Sequence, residues 1–208
     1  MQGLGSGAIT LAGTVEQQHC YLRAVATGSK IAAFALSEPG AGSDAGALSS
    51  RATRTESGWV LNGEKTWISN GGIADFYCVF AKTDPDAGTR GISAFIVEPK
   101  KYPGFEARPI EMMGLSKALR TNAVFLTDFV VPVENRLGEE GQGFTIVMQC
   151  LQAGRVTVAA KALGVARACF EDAVRYANHD AAWIHALVAS GRVVLESKDA
   201  QLTSLKPA

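Results

Sequence analysis

The hydrophobic period of this chain changes near residue 31 and again near residue 141, and no other feature limits its architecture as much. Between Ile31 and about Pro132, apolar residues fall in short runs with a period of two: 31–36, 59–61, 66–68, 76–81, 92–97 and 123–129. Asn62-Gly63 stands between two of these runs and predicts a tight hairpin. Asp84-Pro85, Gly88-Thr89 and Pro103-Gly104 supply further turns. Six or more short strands in about 100 residues predict an antiparallel barrel or sandwich. From Gly141 the period lengthens. Phe144, Val147, Leu151, Val158, Ala162, Val165, Cys169 and Ala173 recur at helical spacing, interrupted by one polar step at Arg155. That stretch predicts one amphipathic helix to about Tyr176, roughly 35 residues and about 50 Å long. Such a helix cannot bury its stripe alone. Only 181–190 and 195–205 follow as candidate partner helices.

Ahead of the strands, Thr14-Val15-Glu16-Gln17 is a capping box, and it opens a short helix that Gly28 stops. The stretch before it, residues 1–13, is glycine-rich and apolar and is expected to be the tail of an earlier element. The predicted fold class is therefore α+β. It comprises the end of a helical domain (1–30), an antiparallel β-barrel-like middle domain (31–135) and a partial C-terminal helical bundle (136–208).

With 208 residues, 47% hydrophobic and 19% charged, the chain has the composition of a globular protein. Twenty basic and twenty acidic residues leave no net charge, so neither a nucleic-acid patch nor a charged tail is expected. Cys20, Cys78, Cys150 and Cys169 are scattered without CxxC spacing; Cys78 lies in an apolar run and Cys150 and Cys169 in a helical pattern, so core thiols rather than disulfides are expected. His179 and His185 have no third ligand nearby, so no metal site is expected. No run reaches the length of a membrane span, and no secretory leader is seen. A reducing compartment follows, either bacterial cytoplasm or mitochondrial matrix.

Two motifs carry the chemistry. In Ser37-Glu38-Pro39-Gly40-Ala41-Gly42-Ser43-Asp44, the glycines would let successive N–H groups converge on one acceptor, and the serines add hydroxyls. On composition alone the same loop is an ordinary surface turn, and it lacks the lysine of a P-loop. Trp67-Ile68-Ser69 ends an alternating strand, where a tryptophan is usually core. The other reading of these residues is a flavin wall. Trp67 would supply the apolar face, Ser69 a contact at N5, and the Leu36–Ser37 backbone donors on the pyrimidine edge.

The segment from Ala33 to Asp44, the segment Leu61-Asn62-Gly63-Glu64-Lys65-Thr66-Trp67-Ile68-Ser69-Asn70-Gly71-Gly72, and three later motifs occur in the order found in acyl-CoA dehydrogenases. The later motifs begin at Gly91, Phe129 and Gly141. Over about residues 3 to 178 the chain resembles that family. The resemblance implies FAD, an acyl-CoA thioester, and helical, β-barrel and helical domains. It implies loss of a proton α to the thioester with hydride transfer from the β carbon to flavin. It also implies an acceptor like the electron-transfer flavoprotein, and a homotetramer. By position, Phe34, Ala35, Leu36, Ser37, Glu38, Pro39, Gly40, Ala41, Gly42, Ser43, Trp67, Ile68 and Ser69 would line FAD. Ser43, Gln152, Ala153, Gly154 and Arg155 would meet the acyl-CoA.

The family's catalytic glutamate lies near the end of the full-length chain or, in isovaleryl-type members, just before the arginine matching Arg155. The second position is Gly154 here, and the first falls beyond Ala208. Glu38 and Asp44 match no family base and are expected to cap the loop or face solvent. Gly154-Arg155 leans toward short-chain members. Two further departures stand out. The family arginine that contacts the FAD pyrophosphate has no counterpart after Tyr176, as though a helix were skipped, and residues 113–121 follow a substrate-side loop only loosely. Little or no activity is expected of this chain by itself. The competing readings are a non-catalytic, partner-binding fragment and a flavin acyl-CoA oxidase.

Overall fold

The computed structural model describes residues 2–112, 120–190, 193–195 and 202–205. The chain divides into two units, Met1–Arg155 and Val156–Ala208. The first begins with helix α1 (Gln2–Ala12). Packing explains one of its glycines, since a Cβ on Gly5 would sit 2.8 Å from the Ala32 backbone. The capping box at Thr14 forms as expected, with the Thr14 side chain and the Gln17 side chain each bonding the other's backbone N–H. It opens α2 (Val15–Gln17), which runs through a π-helical turn, Gln18–Leu22, into α3 (Arg23–Ala26). Gly28, at φ +75°, ends the helix.

Eight strands of the first unit form one sheet: β1 (Ala32–Ala35), β2 (Arg51–Thr55), β3 (Gly58–Ser69), β4 (Phe76–Lys82), β5 (Ile92–Val97), β6 (Phe105–Pro109), β7 (Thr121–Pro132) and β8 (Arg136–Leu137). Their order is β6-β7-β3-β2-β4-β5-β8, with β1 beside β4. The sheet is open rather than a closed barrel, because β6 and β8 end the path and do not pair with each other among the described residues. It is also mixed, because β1 and β2 both meet β4 in parallel. β4 and β5 are buried on both faces. On one side Phe76, Cys78, Phe80, Ile92, Ala94 and Ile96 join Ala8 and Ile9 of α1 with Ile146, Val147 and Cys150. On the other, Tyr77, Val79, Phe95 and Val97 meet Trp59, Leu61, Val124 and Phe129.

Asn62-Gly63 does not turn the chain. β3 runs straight through it for 12 residues, and the two-residue turn lies earlier, between Thr55 and Gly58. Gly63 is needed because Ser50 passes so close that a Cβ would lie 2.3 Å from its Oγ. The Asn62 amide pairs with Asp128 instead, accepting from its backbone N–H at 2.9 Å and donating to its carboxylate at 3.0 Å. Asp128, at φ +48°, is the extra residue of a bulge in β7, since Leu61 pairs with Phe129 but Gly63 with Leu126.

α4 (Gly143–Ala189) is one helix of 47 residues that absorbs the candidate 181–190. Its early residues Phe144, Ile146, Val147, Cys150 and Leu151 pack in the first unit. In the second unit Val156, Val158, Leu163, Val165, Phe170, Val174 and Tyr176 are exposed. The candidate helix 195–205 is not helical where described: β9 (Val193–Leu195) and β10 (Leu202–Leu205) pair antiparallel. Among the described residues no helix is long and apolar enough to cross a membrane.

Candidate functional site

Trp67 decides the geometry of the site. Between Lys65↔Val124 and Ile68↔Asn122, β3 spends three steps where β7 spends two, so β3 carries a second bulge. Trp67 sits in it at φ +60°, a conformation that a bulky side chain adopts only when its surroundings demand it. The bulge lets Lys65 and Ile68 both turn inward and throws the indole out, leaving it 59% exposed. The core reading of Trp67 fails for this reason. Asn70, also left-handed at φ +63°, secures the far side: its N–H donates to the Arg120 carbonyl at 2.9 Å and its amide to Ala32 at 3.1 Å.

The indole borders an open cleft of about 190 Å³ lined by Leu4, Phe34, Leu36, Ser37, Trp67, Ile68, Ser69 and Leu151. The cleft thus joins the two sequence motifs, which are some 30 residues apart along the chain. Leu4 and Leu151 are additions. Leu151 belongs to the apolar stripe of α4, whereas Leu4 lay in a segment that gave no periodic signal. Gly154, one helical turn beyond Leu151, is half-buried against Leu4, and a Cβ there would make ordinary contact at 3.5 Å.

The remaining motif residues lie elsewhere. Ala35 is buried in the core on the sheet's inner side, and Ala41 in the core toward α1. Glu38 and Ala41 exchange backbone hydrogen bonds across Pro39-Gly40 at 3.0 and 3.1 Å, closing a tight turn. Neither Gly40 nor Gly42 has a positive φ, and the turn uses the N–H groups of Glu38 and Ala41, so the loop does not form the expected converging nest. Both glycines instead have open space where a Cβ would project. Pro39, Gly42, Ser43, Gln152, Ala153 and Arg155 are exposed. Asp44 caps the 3-10 turn Ala45–Ala47 by accepting from the Gly46 N–H at 3.1 Å.

Of the two expectations for Glu38, capping the loop or facing solvent, the second fails. Glu38 is 4% exposed and accepts from the N–H and hydroxyl of both Ser49 and Ser50, at 2.6 to 3.0 Å. Its fifth donor is the buried Lys65 ammonium at 2.7 Å. Burial pushes the Glu38 carboxyl up, but the Lys65 charge and these hydrogen bonds prevail and hold it down at about 2. Burial lowers Lys65 to about 8 against the opposing pull of Glu38. The Leu36 and Ser37 carbonyls are likewise engaged, by Lys65 Nζ at 3.1 Å and the Thr66 N–H at 2.8 Å.

Residues 33–129 match the middle domain of the acyl-CoA dehydrogenases and residues 141–195 match their C-terminal domain. The chain belongs to the acyl-CoA dehydrogenase family. A short-chain-specific acyl-CoA dehydrogenase of Clostridium acetobutylicum is 46% identical over 165 residues, which are 79% of this chain and 43% of that protein. A glutaryl-coenzyme A dehydrogenase in complex with glutaryl-CoA superposes with a TM-score of 0.81 at 40% identity, covering 85% of this chain and 45% of its own. An acyl-CoA dehydrogenase of Bacillus anthracis complexed with FAD superposes at 0.67 with 44% identity, covering 74% of this chain and 26% of its own. The chain spans less than half the length of these acyl-CoA dehydrogenases. Residues 113–119 of the substrate-side loop, and the side chain of His179, lie outside the described residues. Among those described, no three His, Cys, Asp or Glu groups could hold a metal ion.

Proposed function

We propose that this chain forms the flavin-facing wall of an FAD-dependent acyl-CoA dehydrogenase. Phe34, Leu36, Ser37, Pro39, Gly40, Gly42, Ser43 and residues 67–69 contact FAD, with the buried Ala35, Glu38 and Ala41 supporting the wall from behind, while Ser43 and residues 152–155 approach an acyl-CoA thioester. The observation that carries this reading is Trp67, a strained and exposed indole bordering a cleft that both motifs line. Strain of this kind concentrates at ligand sites. The chain's own residues fit a flavin. Phe34, Leu36, Leu4 and Leu151 offer an apolar lining, and Ser37 and Ser69 offer two hydroxyls. Gly40 and Gly42 leave room above the loop.

FAD, when bound, supplies the two-electron acceptor for the hydride that leaves the β carbon of the thioester. Trp67 and Ile68 would shield one face of the bound cofactor from water, the Ser69 hydroxyl would be a donor to it, and Arg155 would offer its charge to the acyl-CoA. The α proton needs a carboxylate, and Gly154 provides none. The electron-transfer-flavoprotein-like acceptor and the tetramer are proposed on the same family grounds.

The test is the visible spectrum of the purified 208-residue chain with added FAD. Retained flavin absorbance that short acyl-CoA esters perturb but do not bleach is the expected result. Gly154→Glu, for which Leu4 leaves room, should then permit bleaching. A colourless protein that takes up no FAD would overturn this reading. It would favour a partner-binding fragment, to which the exposed apolar residues of α4 already point.

A further inference from the structure

Three segments distant in sequence meet behind the cleft, and one buried ion pair ties them together. Lys65, fully buried on β3, donates to the Glu38 carboxylate at 2.7 Å and to the Leu36 carbonyl at 3.1 Å. Glu38 reaches across to Ser49 and Ser50 at the entrance to β2. The next residue along β3, Thr66, donates its N–H to the Ser37 carbonyl at 2.8 Å. Leu36 and Ser37 line one edge of the cleft, and Trp67, two residues beyond Lys65, lines the other. The bonds of Asn70 pin the strand past the bulge. Trp67 is thereby held between two anchors, and only the nearer one is ionic.

An ion pair this deep can often be replaced by apolar residues of similar volume with little loss of stability. Its location therefore argues for specification of shape. We infer that Lys65 and Glu38 act as a positioning clamp for the cleft: they hold Trp67 in its left-handed conformation and fix the Leu36–Ser37 edge at a set distance from it. Neither residue touches the cleft, so each acts through its neighbours. The clamp rests on the FAD reading for its ligand but not for its geometry, because strained backbone persists only where the surrounding contacts over-determine it. Once both members are replaced, the β3–β7 ladder and Asn70 still hold the strand, but the segment before the bulge loses its buried side-chain anchor and Trp67 relaxes. Binding must then restore the strained conformer, at a cost of about tenfold in affinity.

The experiment uses the full chain with Trp59→Phe and Trp183→Phe, so that Trp67 is the sole fluorophore, and compares it with the same chain carrying Glu38→Gln and Lys65→Met. Two quantities are read: Trp67 anisotropy with acrylamide quenching in the free protein, and the Kd for FAD. The clamp predicts lower anisotropy and stronger quenching without FAD, and about tenfold weaker FAD binding, while the thermal midpoint moves little. A folded double variant with unchanged Trp67 signals overturns the clamp. If the double variant does not fold, Glu38→Asp decides, because it keeps the buried charge but shortens the reach to Lys65. Altered Trp67 signals there support the clamp, and unaltered signals overturn it. A parent chain that binds no FAD would sink the cofactor reading alone, since the fluorescence arm still judges the clamp.

Discussion

At the residue scale, Glu38 makes the first unit sensitive to acid. Its folded pKa of about 2 lies below its ordinary 4.5, so the folded state binds fewer protons than the unfolded chain between those values. The stability its ionisation contributes is complete above about pH 4.5 and is lost as the pH falls toward 2. Urea midpoints should fall between roughly pH 5 and pH 3, and the Glu38→Gln/Lys65→Met double variant should lack that limb. An unchanged acid limb in the variant would assign it to other carboxylates. Burial of this pair was hard to read from sequence because both residues belong to a polar motif. One signal was available. Trp59, Leu61, Gly63 and Lys65 share an alternating face, and that face is the inner one.

At the element scale, the difference between a turn and a bulge lay in a neighbour rather than in the dipeptide. Asn62-Gly63 suits both, and only the approach of Ser50 excludes the turn. Gly63→Ala should therefore cost about 2 kcal/mol or more in thermal or urea unfolding, because its Cβ would overlap Ser50. Gly40→Ala should change stability by less than about 0.5 kcal/mol, since nothing lies within 4 Å of its Cβ, yet it should weaken FAD binding. Equal losses of stability in the two variants would contradict the packing described. β4 and β5 were readable because both faces are buried and their apolar runs are continuous. β2 buries only Ala52, and no residue of β6 is fully buried, so neither left a periodic trace. The cleft was readable as two motifs, whereas the part played by Leu4 depended on α1 packing against β1.

At the scale of the whole molecule, each unit must be judged alone. The first has cores on both faces of its sheet, whereas the described α4 side chains of the second present an apolar surface that includes Leu163 and Phe170, 72% and 69% exposed. The purified chain should self-associate with rising concentration in sedimentation experiments, and Leu163→Glu with Phe170→Glu should shift it toward monomer. A parent chain that stays monomeric at high concentration would mean that this surface is covered in solution. Periodicity traced α4 only as far as Tyr176 and missed its continuation to Ala189, and its covering depends on contacts that no single helix encodes.

The sheet's larger coherence depends on the two bulges taken together. Among the described residues, β6 and β7 are hydrogen-bonded to the rest of the sheet only through β3. From Gly58↔Pro132 to Leu61↔Phe129 the paired residue numbers sum to 190; from Gly63↔Leu126 to Lys65↔Val124 they sum to 189; at Ile68↔Asn122 they return to 190. Asp128 sets the two strands out of phase by one residue, and Trp67 brings them back. The tryptophan that faces the cleft is thus also the correction of an error introduced at the other end of the same ribbon. A ligand wall of this kind cannot drift independently of the scaffold. Flattening either bulge with its residue still in place would turn every later side chain of that strand to the wrong face.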